Sequence, residues 1–463
     1  MASLVSPEDL RGALILSTIF LTLIAAAELW RRLGHPKPEH TRKLVHLGGG
    51  IVCLFFPFLV QSPWVVLAMA LPLTALFVAG SKLGFLQSLH GVARRSRGAE
   101  YYPIAVFLVF VMTLGRPWLY LAAVLVLAVA DAFAALIGSR YGVIRYEVED
   151  EHKSLEGSLV FLVIAFLAVH LPTLLLTDLP RAVCVLAALL VAALVTGFEA
   201  ISLEGADNLF VPVAVVVVLG KITTKPMSEV IYQNLSLLAI CLVVALLVWR
   251  LHSLNVGGTI TYILFAYGTW SLGNWLWALP AFVGFLGYLL FWYRFAPAGH
   301  AVGIKVRTVT RALLPPFSML ALANGLDRYS LFYAPYLAAS AAVFAFSLDT
   351  GVFRLERAPR SARAIAALGL GALGSIAVAL LPWLTLRWAG QSPPAPALLG
   401  LGGVVMLISL INAGIELRYS EGPEARSREW TGWRFFLSFA AGGAVLGLQE
   451  LGWLLPLWDP AWP

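Results

Sequence analysis

Ala130-Asp131-Ala132-Phe133-Ala134-Ala135-Leu136-Ile137-Gly138-Ser139-Arg140-Tyr141-Gly142 closes a long apolar run, and the single acid inside it decides how the chain is read. An ionised carboxylate at the centre of a membrane helix costs roughly 2.5–3.5 kcal/mol on insertion scales, so an acid kept beside small residues and a basic loop points to a use. Outward from it, the 463 residues are 60% hydrophobic and only 12% charged, with a mean hydropathy of +0.85. That composition exceeds what a soluble core needs and fits a chain with the bilayer as its solvent. The expected fold is all-α: a polytopic integral membrane protein of about 14–16 transmembrane helices in two helical bundles.

Charge gives the expected orientation. Alternating crossings put the loops 31–43, 81–100, 140–156, 201–207, 250–253, 294–311, 351–363 and 417–434 on one side. Of the 32 lysines and arginines this leaves only Arg11, Arg116, Arg181, Lys221, Lys225, Arg328 and Arg387 on the other. The bias predicts a cytoplasmic side for those loops and an extracytoplasmic N-terminus. The pI of 9.4 is then an orientation signal, and no nucleic-acid partner is expected. Ala13 to Ala27 follows an n-region carrying Glu8, Asp9 and only Arg11, and reads as a retained first helix. Cys53, Cys184 and Cys241 lie far apart inside apolar runs and read as packing thiols. Residues 1–230 hold nearly all the acids and amides at helix ends and are expected to form the catalytic membrane domain. Residues 250–463, richer in Trp and Gly, form a second multi-helix domain.

Four clusters fall on the predicted cytoplasmic side. In His40-Thr41-Arg42-Lys43-Leu44-Val45-His46, Arg42 and His46 share a helical face with Lys43 beside it. Followed by Gly48-Gly49-Gly50, these cations suit a polyphosphate, or alternatively a snorkelling anchor. Asp131, Ala134, Ala135 and Gly138 form a small-residue face headed by an acid, suited to a ligand or to a second helix. Lys153-Ser154-Leu155-Glu156-Gly157-Ser158 could present a capped helix N-terminus and a point charge to phosphate, or be a cap alone. Glu199, Ser202, Glu204, Asp207 and Asn208 flank a tight turn between two apolar runs, where hard oxygen donors suit Mg²⁺ held jointly with phosphate; solvated loop acids are the plainer reading.

Other signals carry less. Gly369-Leu-Gly371-Ala-Leu-Gly374 has no strand before it, Gly220-Lys221 is followed by Ile222, and no GxSxG or HExxH occurs. His90, His170, His252 and His300 read as loop or interface residues, and Arg354 to Arg363 as an orientation determinant. Gln391 to Ala397 reads as an extended loop.

In order, RKxxH (42–46), ADAxAxxxGxxxG (130–142), KSxEGS (153–158) and ExxSxxGxDNxxxP (199–212) resemble the CTP-dependent polyprenol kinase family, over about residues 35–222. That group includes dolichol and phytol kinases and is related to the phosphatidate cytidylyltransferases. The resemblance implies transfer of the γ-phosphoryl group of CTP, from the cytoplasm, to a lipid alcohol in the bilayer. Phosphoryl transfer needs charge neutralisation and in-line positioning. Asp131, Glu199 and Asp207 are the expected Mg²⁺ ligands. Arg42, Lys43 and Lys153 would clamp the phosphates, with Gly138, Gly142, Ser154, Glu156, Gly157 and Asn208 completing the nucleotide site. Asp131 or His46 would accept the hydroxyl proton. Cytidylyl transfer to phosphatidate is the nearest rival, an ion-coupled transporter a more distant one, and homo-oligomerisation stays open. In the second half, Leu254 to Gly258, Trp275 to Pro280, Tyr336 onward and Ser347 to Thr350 resemble the phytyl-phosphate kinase membrane family. Its Gly-Thr-rich motif is missing, and Arg354 and Glu356 interrupt the region after it, so this half is expected to be degenerate or accessory.

Overall fold

The computed structural model describes residues 5–36, 38–84, 97–149, 151–295, 304–353, 369, 383–384, 386–388, 390–419 and 432–457. Arg354 to Arg363, Gly371, Gly374, His90, His300 and the side chains of Ser347 to Thr350 lie outside these residues. The chain divides into two compact units, Met1–Leu237 and Leu238–Pro463.

The first unit opens with α1 (Pro7–Gly34), whose start is fixed by a reciprocal cap. Ser6 Oγ accepts from the Asp9 amide at 3.0 Å, while the Asp9 carboxylate accepts from the Ser6 amide at 3.2 Å. The same carboxylate takes the amides of Gln61 (2.6 Å) and Ser62 (3.2 Å), which ties α1 to the turn before α4. Then come α2 (Pro38–Cys53), α3 (Phe56–Leu59), α4 (Pro63–Leu83) and α5 (Gly98–Met112). Proline stands in the first turn of α3 and of α4, where its missing N–H costs no intrahelical bond.

Next, α6 (Pro117–Leu125) runs through one π-helical turn, Val126–Ala130, into α7 (Asp131–Tyr141). A hairpin follows, β1 (Arg145–Val148) antiparallel to β2 (Glu151–Ser154), pairing Tyr146 with Lys153. It is the sole sheet among the described residues, so the all-α expectation holds apart from it. Then come α8 (Leu155–Leu176), α9 (Arg181–Ile201), α10 (Asp207–Ile222) and α11 (Met227–Leu251), within which the first unit ends. α8 packs on α6, α7 and α9, and α10 on α5, α6 and α9.

The second unit contains α12 (Val256–Phe295), α13 (Val306–Leu326), α14 (Tyr329–Phe353), α15 (Ala395–Tyr419) and α16 (Gly432–Glu450). Because α15 begins at Ala395, the Gln391–Ala397 stretch is extended only in its first part. α12 breaks at Asn274, whose φ of 62° and ψ of −168° interrupt the helical bonds. Tyrosines of α14 satisfy carbonyls around the break: Tyr329 donates to Leu272 O (3.3 Å), Tyr333 to Leu276 O (3.2 Å) and Tyr336 to Trp277 O (2.6 Å). All three rings surround the fully buried Trp277.

Eight helices among the described residues are long and apolar enough to cross a membrane, and two shorter apolar helices accompany them. Leu14 and Leu175 are 70% and 72% exposed on two of the eight, an arrangement that lipid, and not water, accommodates. The chain is a multi-pass membrane protein.

Tyr336→Phe leaves the buried Trp277 carbonyl without its donor. The variant is expected to lose about 1–3 kcal/mol of stability, measured by unfolding in detergent micelles; wild-type stability would show that the carbonyl finds another donor.

Candidate active site

Two lysine–acid pairs dominate the polar interior of the first unit. Lys43, on α2, donates from Nζ to Asp131 Oδ2 at 2.8 Å and to the Asp131 main-chain carbonyl at 3.3 Å. Lys153, on β2, donates to Glu199 Oε1 at 2.8 Å and also to the Glu199 carbonyl. Each lysine therefore holds one acid by side chain and backbone together. All four side chains are largely withdrawn from solvent, at 7% and 21% exposure in the first pair and 12% and 14% in the second.

The π turn accounts for the first pair. It changes the ladder of backbone bonds just before Asp131, and His46 Nε2 lies 3.0 Å from Leu127 O and 3.2 Å from Asp131 Oδ2. A carbonyl only accepts, so Nε2 carries a proton and donates it. Lys43 and His46, three residues apart on α2, thus converge on Asp131; Arg42 is half-buried and within electrostatic reach of the same carboxylate. This differs from the face expected for Arg42 and His46, since helical spacing of three serves the acid as well as four.

The glycines after His46 serve packing. A Cβ on Gly50 would lie 2.0 Å from Ala128 Cβ in the π turn, and one on Gly48 or Gly49 would crowd Leu23 or Phe20 of α1. Their close approach seats α2 against its neighbours. Gly138, Gly142 and Gly157 do the same where α7 meets α8: a Cβ on Gly138 would come within 3.2 Å of Gly157 Cα, and one on Gly142 within 2.8 Å of Ser154 Oγ. Ser154 caps α8 by accepting from the Gly157 amide at 3.2 Å. Glu156 Oε1 accepts from the Ile144 amide at 3.1 Å, which fastens the hairpin to α8.

The hairpin carries Lys153 to Glu199 and adds a residue absent from the sequence-based set, Tyr146, whose hydroxyl shares a 2.7 Å hydrogen bond with Ser158 Oγ. The alternation Arg145-Tyr146-Glu147-Val148 before Glu149-Asp150 is the signal for it. Burial pulls the Lys153 ammonium down, but the carboxylates of Glu199 and Asp207 outweigh it and hold its pKa above the ordinary lysine value. Burial pushes the Tyr146 phenol up.

Glu199 stands two residues before the end of α9, and Asp207 and Asn208 open α10. Between them Glu204 and Gly205 have φ of 55° and 82°, the left-handed turn that brings the two helix ends together. Asp207 Oδ1 accepts from the Asn208 amide at 3.1 Å, and the Asn208 side chain is buried. Ser202 Oγ is buried there with no hydrogen-bond partner among the described residues, as is Glu156 Oε2. Glu199 lies within electrostatic reach of both Asp207 and Asp131, which joins the two pairs into one charged region. Among the described residues, however, no three acidic, His or Cys side chains are grouped closely enough to hold a metal by themselves. Asp131 and Glu199 each already carry a lysine, so an ion here fits only as a shared ligand with phosphate oxygens.

Fold and site together define a multi-pass membrane protein with a buried, cation-rich carboxylate centre. The chain is 34% identical over 198 residues to a phytol kinase of Synechocystis sp. (strain ATCC 27184 / PCC 6803 / Kazusa), a match that spans 42% of this chain and 84% of that relative. No family model matches the chain, and no solved structure matches it significantly. The chain belongs to the polyprenol and phytol kinase family.

Lys43→Ala strands a buried carboxylate and is expected to cost about 3–5 kcal/mol. Asp131→Asn should cost much less in the Lys43→Ala background than alone, which a double-mutant cycle of unfolding free energies measures; strictly additive losses would mean the pair is not coupled. For Lys153 the folded pKa is raised. Its stabilisation is complete below the unfolded value of about 10.4 and is lost as pH rises through the higher folded value. The melting-temperature gap between wild type and Lys153→Met should therefore stay level from about pH 7 to about pH 9 and narrow only above the ordinary lysine range.

Proposed function

We propose that this protein is a membrane-embedded kinase that transfers the γ-phosphoryl group of CTP to the hydroxyl of an isoprenoid or similar lipid alcohol. The observation that carries the reading is the convergence of the two lysine–acid pairs in a chain of this family. Lys43, Lys153 and the half-buried Arg42 supply the charge that a polyphosphate and its transition state need. Ser202 and Asn208 lie in the same turn as Asp207 and offer polar contacts to a nucleotide.

Residues 1–230 act as the catalytic domain and residues 250–463 as an accessory one. Asp131, Glu199 and Asp207 are the residues that would hold Mg²⁺, together with phosphate oxygens. Bound with the nucleotide, the ion would neutralise phosphate charge.

The alcohol oxygen attacks the γ-phosphorus, its bond to the β–γ bridging oxygen breaks, and CDP leaves. Asp131 takes the hydroxyl proton. His46, whose Nε2 proton is committed to Leu127 O, orients that carboxylate rather than acting as the base. The positive-inside bias supports a cytoplasmic position for this site and an extracytoplasmic N-terminus.

The test is purified protein in nanodiscs, given γ-labelled CTP or ATP with phytol, farnesol, geranylgeraniol, dolichol or diacylglycerol, with and without Mg²⁺. Label is expected in lipid from CTP, dependent on Mg²⁺, and Asp131→Asn should lower turnover about 10²–10⁴-fold. Label entering lipid only from α-labelled CTP would make the protein a cytidylyltransferase. Wild-type turnover in folded Asp131→Asn would remove Asp131 from the chemistry.

A further inference from the structure

A cavity of about 290 Å³ lies in the first unit, walled by α1 to α5. Its rim includes Leu21, Ala68 and Pro72, all exposed and all near the middle of α1 and α4, two of the helices long and apolar enough to span a membrane. Its wall also includes Cys53, Tyr102 and Val106, which are buried. The cavity thus opens sideways, where lipid covers the protein, and deepens towards α5.

Tyr102 connects this apolar space to the charged centre. Its ring lines the cavity and meets the His46 ring edge-on at 5.1 Å. The residue is 8% exposed, and its hydroxyl has no hydrogen-bond partner among the described residues. A buried hydroxyl left unpaired costs free energy, and an alcohol oxygen arriving there would satisfy it. A site for an amphipathic alcohol needs an apolar chamber, a lateral entrance and one polar atom next to the reactive carboxylate. These three features coincide here.

We propose that the cavity receives the isoprenoid chain of the alcohol substrate through the rim at Leu21, Ala68 and Pro72, and that the Tyr102 hydroxyl hydrogen-bonds the alcohol oxygen beside Asp131. The inference rests on the kinase reading for the identity of the alcohol, though binding is separable from transfer. At about 290 Å³ the chamber is at the small end of ligand pockets, so it grips the hydroxyl end and first isoprene units while the remaining tail stays in lipid.

The experiment uses the full chain in nanodiscs and a farnesol analogue bearing a diazirine near its hydroxyl end. Photolabel is expected on peptides of α1, α4 and α5, displaced by excess phytol but not by phosphatidylcholine. Ala68→Phe, an exposed rim position, should cut labelling and raise the KM for farnesol about tenfold each by excluding buried methylenes. Tyr102→Phe keeps the ring and should lower kcat about tenfold with little change in KM, the mark of a bond tightened in the transition state. Label confined to the second unit, or displaced equally by phosphatidylcholine, would overturn the assignment, as would an Ala68→Phe protein with wild-type labelling and KM. Wild-type kcat in Tyr102→Phe would remove the hydroxyl from it. Displaceable label in the cavity without any phosphoryl transfer would uphold the binding site and sink the kinase reading.

Discussion

A lysine that grips both the carboxylate and the backbone carbonyl of one acid is the interaction on which the first unit depends. Removing such an acid from water costs several kcal/mol, and the cost is recovered only with good geometry and further hydrogen bonds. Lys43 and Lys153 meet that condition in the same way, each with one side-chain and one main-chain acceptor. The constraint then spreads. Lys43 reaches Asp131 only because Gly50 lets α2 lie against the π turn, and Lys153 reaches Glu199 only because a hairpin carries it there. Packing that looks generic is organised around two charges.

Much of this was legible in the sequence, for an energetic reason. Asp131, Lys153 and Glu199 stand out because charge is expensive in apolar surroundings, whatever the partner. The partners themselves are another matter. Lys43 and Asp131 are separated by 88 residues, Lys153 and Glu199 by 46, and no local pattern encodes such pairings. The π turn was invisible because Val126–Ala130 has the same apolar composition as an ordinary helix. The glycines were read by composition as neighbours of phosphate, whereas at Gly50, Gly138 and Gly157 they bring backbones together. Tyr146 was missed because a four-residue strand beside a helix is a weak signal amid long apolar runs.

The second unit solves a related problem without charge. A helix broken at Asn274 exposes carbonyls where water is scarce, and tyrosines from a single helix supply the missing donors. Gly273 makes room, since a Cβ there would meet Trp277 at 2.6 Å. The break, the tyrosines and the tryptophan form one structural element, and it reads as a built irregularity.

The π turn before Asp131 carries a consequence for chain length. One turn with bonds reaching five residues holds one residue more than the α-helix would need over the same rise. Deleting a single residue from Val126–Ala130 would restore regular bonding there, yet it would rotate everything after it by about 100°. Asp131 would then swing away from Lys43 and His46, with each amino acid that forms the site still present. The active centre is set by a count of residues as much as by their identities.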